Sequence, residues 1–245
     1  MFLSLPNNLI ALKHYIPSAI TSLNLLCGFT AIMIGDFYWS PILLLCSFVF
    51  DSLDGLVARA LNAQSEFGKH LDSIADVISF GVAPAYLYAL YSPDPENGLF
   101  TISAVAFIVI GGAIRLAKFN SSPSKPYFMG LPIPANALFF IGIIIAIEND
   151  SMPFIEFFGS KTNYFITPLF MGILMVSFGF RMFSTKGMTK NWKDNIFQYI
   201  MAVVAVLIIL IYRYEAVSYI VLAYVALSII NTLTSIFIEK KQSID

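Results

Sequence analysis

Four aspartates, Asp51, Asp54, Asp72 and Asp76, stand inside otherwise apolar sequence, and their spacing suggests what they do. A carboxylate at the centre of a spanning helix costs roughly 3 kcal/mol on insertion scales, so four of them in two successive apolar segments require a compensating role. The first pair is spaced i, i+3 and the second i, i+4, so on helices each pair projects from one face. Asp51 and Asp76 both lie roughly 12 Å from the same helical edge, counting 1.5 Å per residue to Arg59 and to Gly68. An antiparallel hairpin across residues 60–67 would then set Asp51 level with Asp76 and Asp54 level with Asp72. Four such charges must take up protons, pair with cations or bind metal, and Arg59 supplies one positive charge at most. An all-oxygen donor set selects a hard divalent ion, Mg2+ or Mn2+ at a phosphate-handling site. Zinc would want nitrogen or sulfur, and neither His14 and His70 nor Cys27 and Cys46 have ligand spacing.

The elements that carry these residues must be membrane helices. The chain is 58% apolar and only 12% charged, outside the range of soluble domains. A hydrocarbon core of roughly 30 Å needs about 20 apolar helical residues. Eight segments read as candidates: 16–35, 39–60, 68–91, 98–119, 131–148, 163–181, 195–213 and 216–238. Strand-like alternation is absent, so an all-α bundle forming a single membrane domain over 1–245 is expected, with a catalytic hairpin at 39–91. Segments 163–238 carry no motif that assigns them a role. Residues 1–15 read as an interfacial lead-in; with no basic start and no small-residue cleavage site, no removable signal peptide is expected. A formal net charge of −1 and no dense basic patch exclude nucleic acid as a partner.

Eight helices would send Lys13, Arg59, Lys69, Arg115, Lys118, Lys125, Arg181, Lys186, Lys190, Lys193, Lys240 and Lys241 to one side and only Lys161 and Arg213 to the other. The positive-inside rule assigns the larger set to the cytoplasm, which puts both termini and the acidic pocket there. Integral insertion in a cell's inner, cytoplasmic membrane is the expected location.

Written out, the acidic residues form Asp51-x2-Asp54-Gly55-x2-Ala58-Arg59-x8-Gly68-x3-Asp72-x3-Asp76. This resembles, at every fixed position, the signature of the CDP-alcohol phosphatidyltransferases. Ser73 to Pro84, Arg115 to Asn120, Gly130 to Ala135 and Ile16 to Asn24 are similar to the phosphatidylserine synthase branch of that family. Lys118 departs from the arginine expected there, which keeps charge but weakens bidentate contact.

The resemblance implies transfer of a phosphatidyl group from CDP-diacylglycerol to L-serine, by a membrane enzyme that is a homodimer and uses two divalent ions. Carried onto this chain, it implies Asp51, Asp54, Asp72 and Asp76 as metal ligands, and Asp76 is the candidate general base for the serine hydroxyl. Gly55, Ala58, Arg59, Gly68, Ser73, Thr21 and Asn24 are the expected nucleotide and phosphate contacts, with helix packing the alternative for the small residues. Arg115, Asn120 and Lys125 are the candidate contacts for the acceptor, with a topology-setting basic cluster as the alternative. Glycerol 3-phosphate, inositol, inositol phosphate or phosphatidylglycerol stand as other acceptors. From another class, buried carboxylates among helices could serve a cation-coupled transporter, although no matching helix breaks occur in a second repeat.

Overall fold

The structure is a computed structural model that describes residues 7–121, 128–177, 181–182 and 195–242. Ten α-helices occur among them: α1 Asn7–Ile34, α2 Trp39–Ala60, α3 Glu66–Asp76, α4 Ala83–Leu90, α5 Gly98–Ser121, α6 Ile133–Glu148, α7 Met152–Gly159, α8 Lys161–Val176, α9 Ile196–Tyr212 and α10 Ala216–Gln242. A π-helical turn, Val77–Val82, joins α3 to α4 without a break. Two-residue strands β1, Phe128–Met129, and β2, Arg181–Met182, pair antiparallel.

Local sequence accounts for the turns that matter. Gly35 takes a positive φ of 62° to end α1, and the Asp36 carboxylate then accepts the backbone N–H groups of Tyr38, Trp39 and Ser40 at the start of α2. Ser65 caps α3 by accepting from Gly68 N at 3.0 Å, with Glu66 in the first turn where the helix dipole favours a negative charge. Pro84 has no N–H to return to the Phe80 carbonyl, and its ring crowds that turn. The backbone widens instead, so that Ala83 N reaches Ile78 O five residues back.

Each of the eight apolar segments holds a helix, but they differ in length. Five are long and apolar enough to cross a membrane: Tyr15–Ile34 within α1, α2, Glu66–Leu90, α5 and Ala216–Thr234 within α10. α6 with α7 makes a sixth only as a pair bent by 114° at Asn149–Ser151. The segment expected at 163–181 ends as a helix at Val176, where Ser177 turns to extended backbone, and Arg181 belongs to β2. With 16 residues in α8 and 17 in α9, these helices span about 24–26 Å, short of a full hydrocarbon core.

The core lies around α6, which is buried on nearly every side from Phe139 to Ile147. Tyr88 of α4 stacks on Tyr164 of α8 with ring centroids 4.5 Å apart. Each of these hydroxyls donates to the other residue's carbonyl, so two buried polar groups are satisfied and the two helices are fixed together. α1 runs along both α2 and α3, whereas the backbones of α2 and α3 scarcely approach one another.

Candidate active site

The acidic cluster forms because α1 brings together two helices that do not pack directly. α1 crosses the π turn closely at Gly28, where any Cβ would fall 2.7 Å from Ser79 Cα, so only glycine allows this approach. Held this way, Asp51 of α2 and Asp72 and Asp76 of α3 each offer a carboxylate oxygen within 4.8 Å of the others. Asp76 lies within hydrogen-bonding reach of Asp51, and its Oδ1 is buried with no hydrogen-bond partner among the described residues. Carboxylates this close need a cation or a proton between them. Asp54, also buried, is turned toward α1 and accepts from Thr21 Oγ1 at 2.5 Å.

A cleft of about 650 Å³ opens beside this cluster. It gathers seven of the residues that the sequence pointed to: Thr21, Asp54, Gly55, Ala58, Arg59, Gly68 and Asp72. Among the described residues, a Cβ added at Gly55 would meet only the Arg59 guanidinium, at 3.6 Å, and Gly55 lines the cleft. The cleft also includes Pro17, Ser18, Gln64, Ser65, Lys69 and Phe119, which the sequence reading did not select. Gln64 and Ser65 fall in the eight-residue gap of the motif, where the spacing specifies no residue type.

The other candidates lie around the cleft rather than along it. Asn24 is fully buried and forms a polar knot: Ser47 Oγ donates to its carboxamide oxygen, and Ser79 Oγ to its backbone carbonyl at 3.1 Å. Asn120 Nδ2 donates to Ser73 Oγ at 2.7 Å, and Lys69 Nζ to the Asn120 carbonyl at 3.4 Å, which ties the end of α5 to α3. Arg115 is only 9% exposed and lies within electrostatic reach of Asp76 and of Tyr224 on α10. Tyr224 was not legible as a site residue, because α10 carries no motif. Lys125 lies outside the described residues.

The donor set suits a hard divalent cation. Three carboxylates converge, every donor is oxygen, and one buried Asp76 oxygen has no other partner among the described residues. The sequence profile of the CDP-alcohol phosphatidyltransferases matches residues 14–178. Among curated proteins, the chain is 43% identical over 158 residues to a CDP-diacylglycerol–serine O-phosphatidyltransferase of Methanocaldococcus jannaschii, covering 64% of this chain and 69% of that protein. It is 37% identical over 174 residues to the protein of the same name in Helicobacter pylori, covering 67% and 70%. Against an archaetidylserine synthase of Methanothermobacter thermautotrophicus it is 40% identical over 129 residues, covering 50% and 54%. The matched stretch contains all four aspartates, the Gly28 crossing and the cleft, and this chain belongs to the CDP-alcohol phosphatidyltransferase family.

Proposed function

We propose that this chain transfers the phosphatidyl group of CDP-diacylglycerol to L-serine, forming phosphatidylserine and releasing CMP. The observation that carries the reading is the meeting of Asp51, Asp72 and Asp76, with a buried Asp76 oxygen that has no hydrogen-bond partner among the described residues, beside a cleft into which Gly55 presents no side chain. The names of the relatives in Methanocaldococcus and Helicobacter support serine as the acceptor.

Thr21 holds Asp54 in place, Gly55 and Ala58 leave room for the nucleotide, and Arg59 meets phosphate at the cleft mouth. Two Mg2+ or Mn2+ ions held by Asp51, Asp54, Asp72 and Asp76 would neutralise the pyrophosphate and make its phosphorus more electrophilic. Asp76 takes the proton of the serine hydroxyl through a carboxylate oxygen. The serine oxygen forms a bond to the phosphorus that carries diacylglycerol as the bond from that phosphorus to the CMP oxygen breaks, with no covalent enzyme intermediate. Arg115 balances the serine carboxylate, and Asn120 orients Ser73 and the end of α3.

This reading places eight helices in one membrane domain, with both termini and the cleft on the cytoplasmic side of an inner membrane and with two copies forming a homodimer. The distribution of Lys and Arg supports that orientation. The Lys161–Asp94 ion pair at 2.7 Å joins the first residue of α8 to the segment between α4 and α5, both assigned to the opposite face. The diacylglycerol tails then stay in the leaflet while the cytidine faces water.

The test is to incubate purified protein in detergent or vesicles with CDP-diacylglycerol, Mn2+ or Mg2+ and one alcohol at a time. Release of CMP that depends on serine, with phosphatidylserine as the lipid product, is expected. Release that depends instead on glycerol 3-phosphate or inositol refutes the acceptor, and no release with any alcohol refutes the enzymatic reading.

A further inference from the structure

The family profile ends at residue 178, and α10 lies wholly beyond it. Even so, α10 is built into the core. It packs along α6 at Gly142, where a Cβ would come within 2.6 Å of Ser218 N, and Ser218 Oγ donates to the Phe139 carbonyl at 2.9 Å. From Ser218 the buried positions recur at Val221, Val225, Ser228 and Thr232, one continuous face of the helix. Tyr224 stands six residues from Ser218, roughly 9 Å along the axis toward the end at which α6 begins. That end of α6 sits against α5, with Ile133 Cδ1 2.5 Å from where a Cβ on Gly112 would be, one turn before Arg115. Tyr224 and Arg115 accordingly lie within electrostatic reach of each other, and Arg115 within reach of Asp76.

Arg115 is the member of this line that needs explaining. It is a buried guanidinium whose Nε has no hydrogen-bond partner among the described residues. A buried cation is costly unless its charge and its donors are met, and the nearby Asp76 charge is shared with the acidic cluster. An acceptor that carries its own carboxylate would supply the missing anion. In the first turn of α6, the Asn136 amide is also fully buried with neither polar atom partnered among the described residues. Unmet polar groups therefore occur on both α5 and α6, at residues that do not line the nucleotide cleft.

We infer that Tyr224 is a positioning residue for an amino-acid acceptor: its phenol, delivered by a helix that the family profile does not include, sets the Arg115 guanidinium to receive the acceptor's carboxylate. The inference rests on the phosphatidyl transfer to serine proposed above. It gives the C-terminal helix a role in choosing the acceptor, separate from binding of the nucleotide-lipid.

The experiment is a kinetic comparison of the full-length wild type with Tyr224→Phe, Arg115→Lys, the double variant and Leu222→Ala, an exposed neighbour on α10. Tyr224→Phe, which removes the phenol dipole facing the buried guanidinium, is expected to raise the KM for serine about tenfold and to leave the KM for CDP-diacylglycerol within about twofold. Arg115→Lys is expected to raise the serine KM at least as much, and the double variant to add less than about twofold to it, because Tyr224 acts through Arg115. Leu222→Ala should match wild type. An unchanged serine KM in Tyr224→Phe overturns the inference, as does an equal rise in both KM values or full additivity with Arg115→Lys. If Tyr224→Phe is not recovered in folded form, Arg115→Lys decides: a selective rise in serine KM supports the acceptor site, and none overturns it. Wild-type CMP release that does not depend on serine would remove the underlying reading as well, whereas serine-dependent release with Tyr224→Phe unaltered removes this inference alone.

Discussion

Thr21→Val replaces one hydroxyl with a methyl of nearly the same shape, and it isolates a contact that couples α1 to the acidic cluster. The Thr21 hydroxyl has one proton and two acceptors within reach, Asp54 Oδ2 at 2.5 Å and the Pro17 carbonyl at 3.0 Å. The shorter contact is to a carboxylate, and hydrogen bonds to charged groups contribute about 1.5–3 kcal/mol against about 1 for neutral pairs, so Asp54 receives the proton. Both residues are buried, at 3% and 6% exposure, so water cannot readily replace the lost donor. At 1.4 kcal/mol per factor of ten, kcat/KM for CDP-diacylglycerol should fall about 10- to 100-fold in Thr21→Val. Thr21→Ser, which keeps the donor, should stay within about threefold. CMP release measured at saturating serine over a range of Mn2+ concentrations gives both values, and the valine variant should also need more metal for half-maximal rate. A folded Thr21→Val protein that retains activity within twofold of wild type would refute the claim that Thr21 orients Asp54.

Asp76→Asn should lower kcat about 10²- to 10⁴-fold, the range for loss of a positioned general base, in an assay of CMP release on protein shown to be folded by gel filtration. Chelation with EDTA should abolish activity, with recovery on adding Mg2+ or Mn2+ and none with Ca2+ alone expected at a site matched to the smaller ions; activity that survives exhaustive chelation contradicts the all-oxygen ion site. Gly28→Ala must push α1 off the Ser79 backbone, an overpacking cost of about 1–3 kcal/mol, so the midpoint of thermal inactivation should drop by several degrees. Gly55→Leu places a side chain in open cleft instead of against a helix, so it should raise the KM for CDP-diacylglycerol with little loss of thermal stability, the opposite pattern to Gly28→Ala.

The parts of this protein that were legible in the sequence are those set by short-range periodicity. Asp51 with Asp54 and Asp72 with Asp76 share faces because helical spacing dictates it, and the apolar lengths located every helix that carries them. What escaped the sequence depends on contacts between residues far apart in the chain. That the Thr21 hydroxyl is bonded to Asp54 depends on how α1 crosses α2, a fact no local pattern encodes. The π turn at Val77–Val82 reads in sequence as one uninterrupted helix, and Pro84 was the only signal that the ladder must widen there. Tyr224 is one of several tyrosines in apolar sequence, and only the packing of α10 on α6 sets it apart from an interfacial anchor.

The arrangement of α1, α2 and α3 also explains why a simple hairpin would not have served. Had α2 and α3 packed directly on each other, their four carboxylates would have been pressed together with no space for a pyrophosphate. In the structure α1 supports both helices, Gly28 sets how closely α1 meets the π turn, and Thr21, two turns earlier on the same helix, fixes Asp54. The distance between the two acidic pairs is therefore held by a third helix whose contacts lie outside the acidic motif. Three carboxylate oxygens within 4.8 Å and an adjoining cleft of about 650 Å³ follow from that separation. Substitutions at Gly28 or Thr21 should consequently change the site's geometry as effectively as substitutions of the aspartates change its charge.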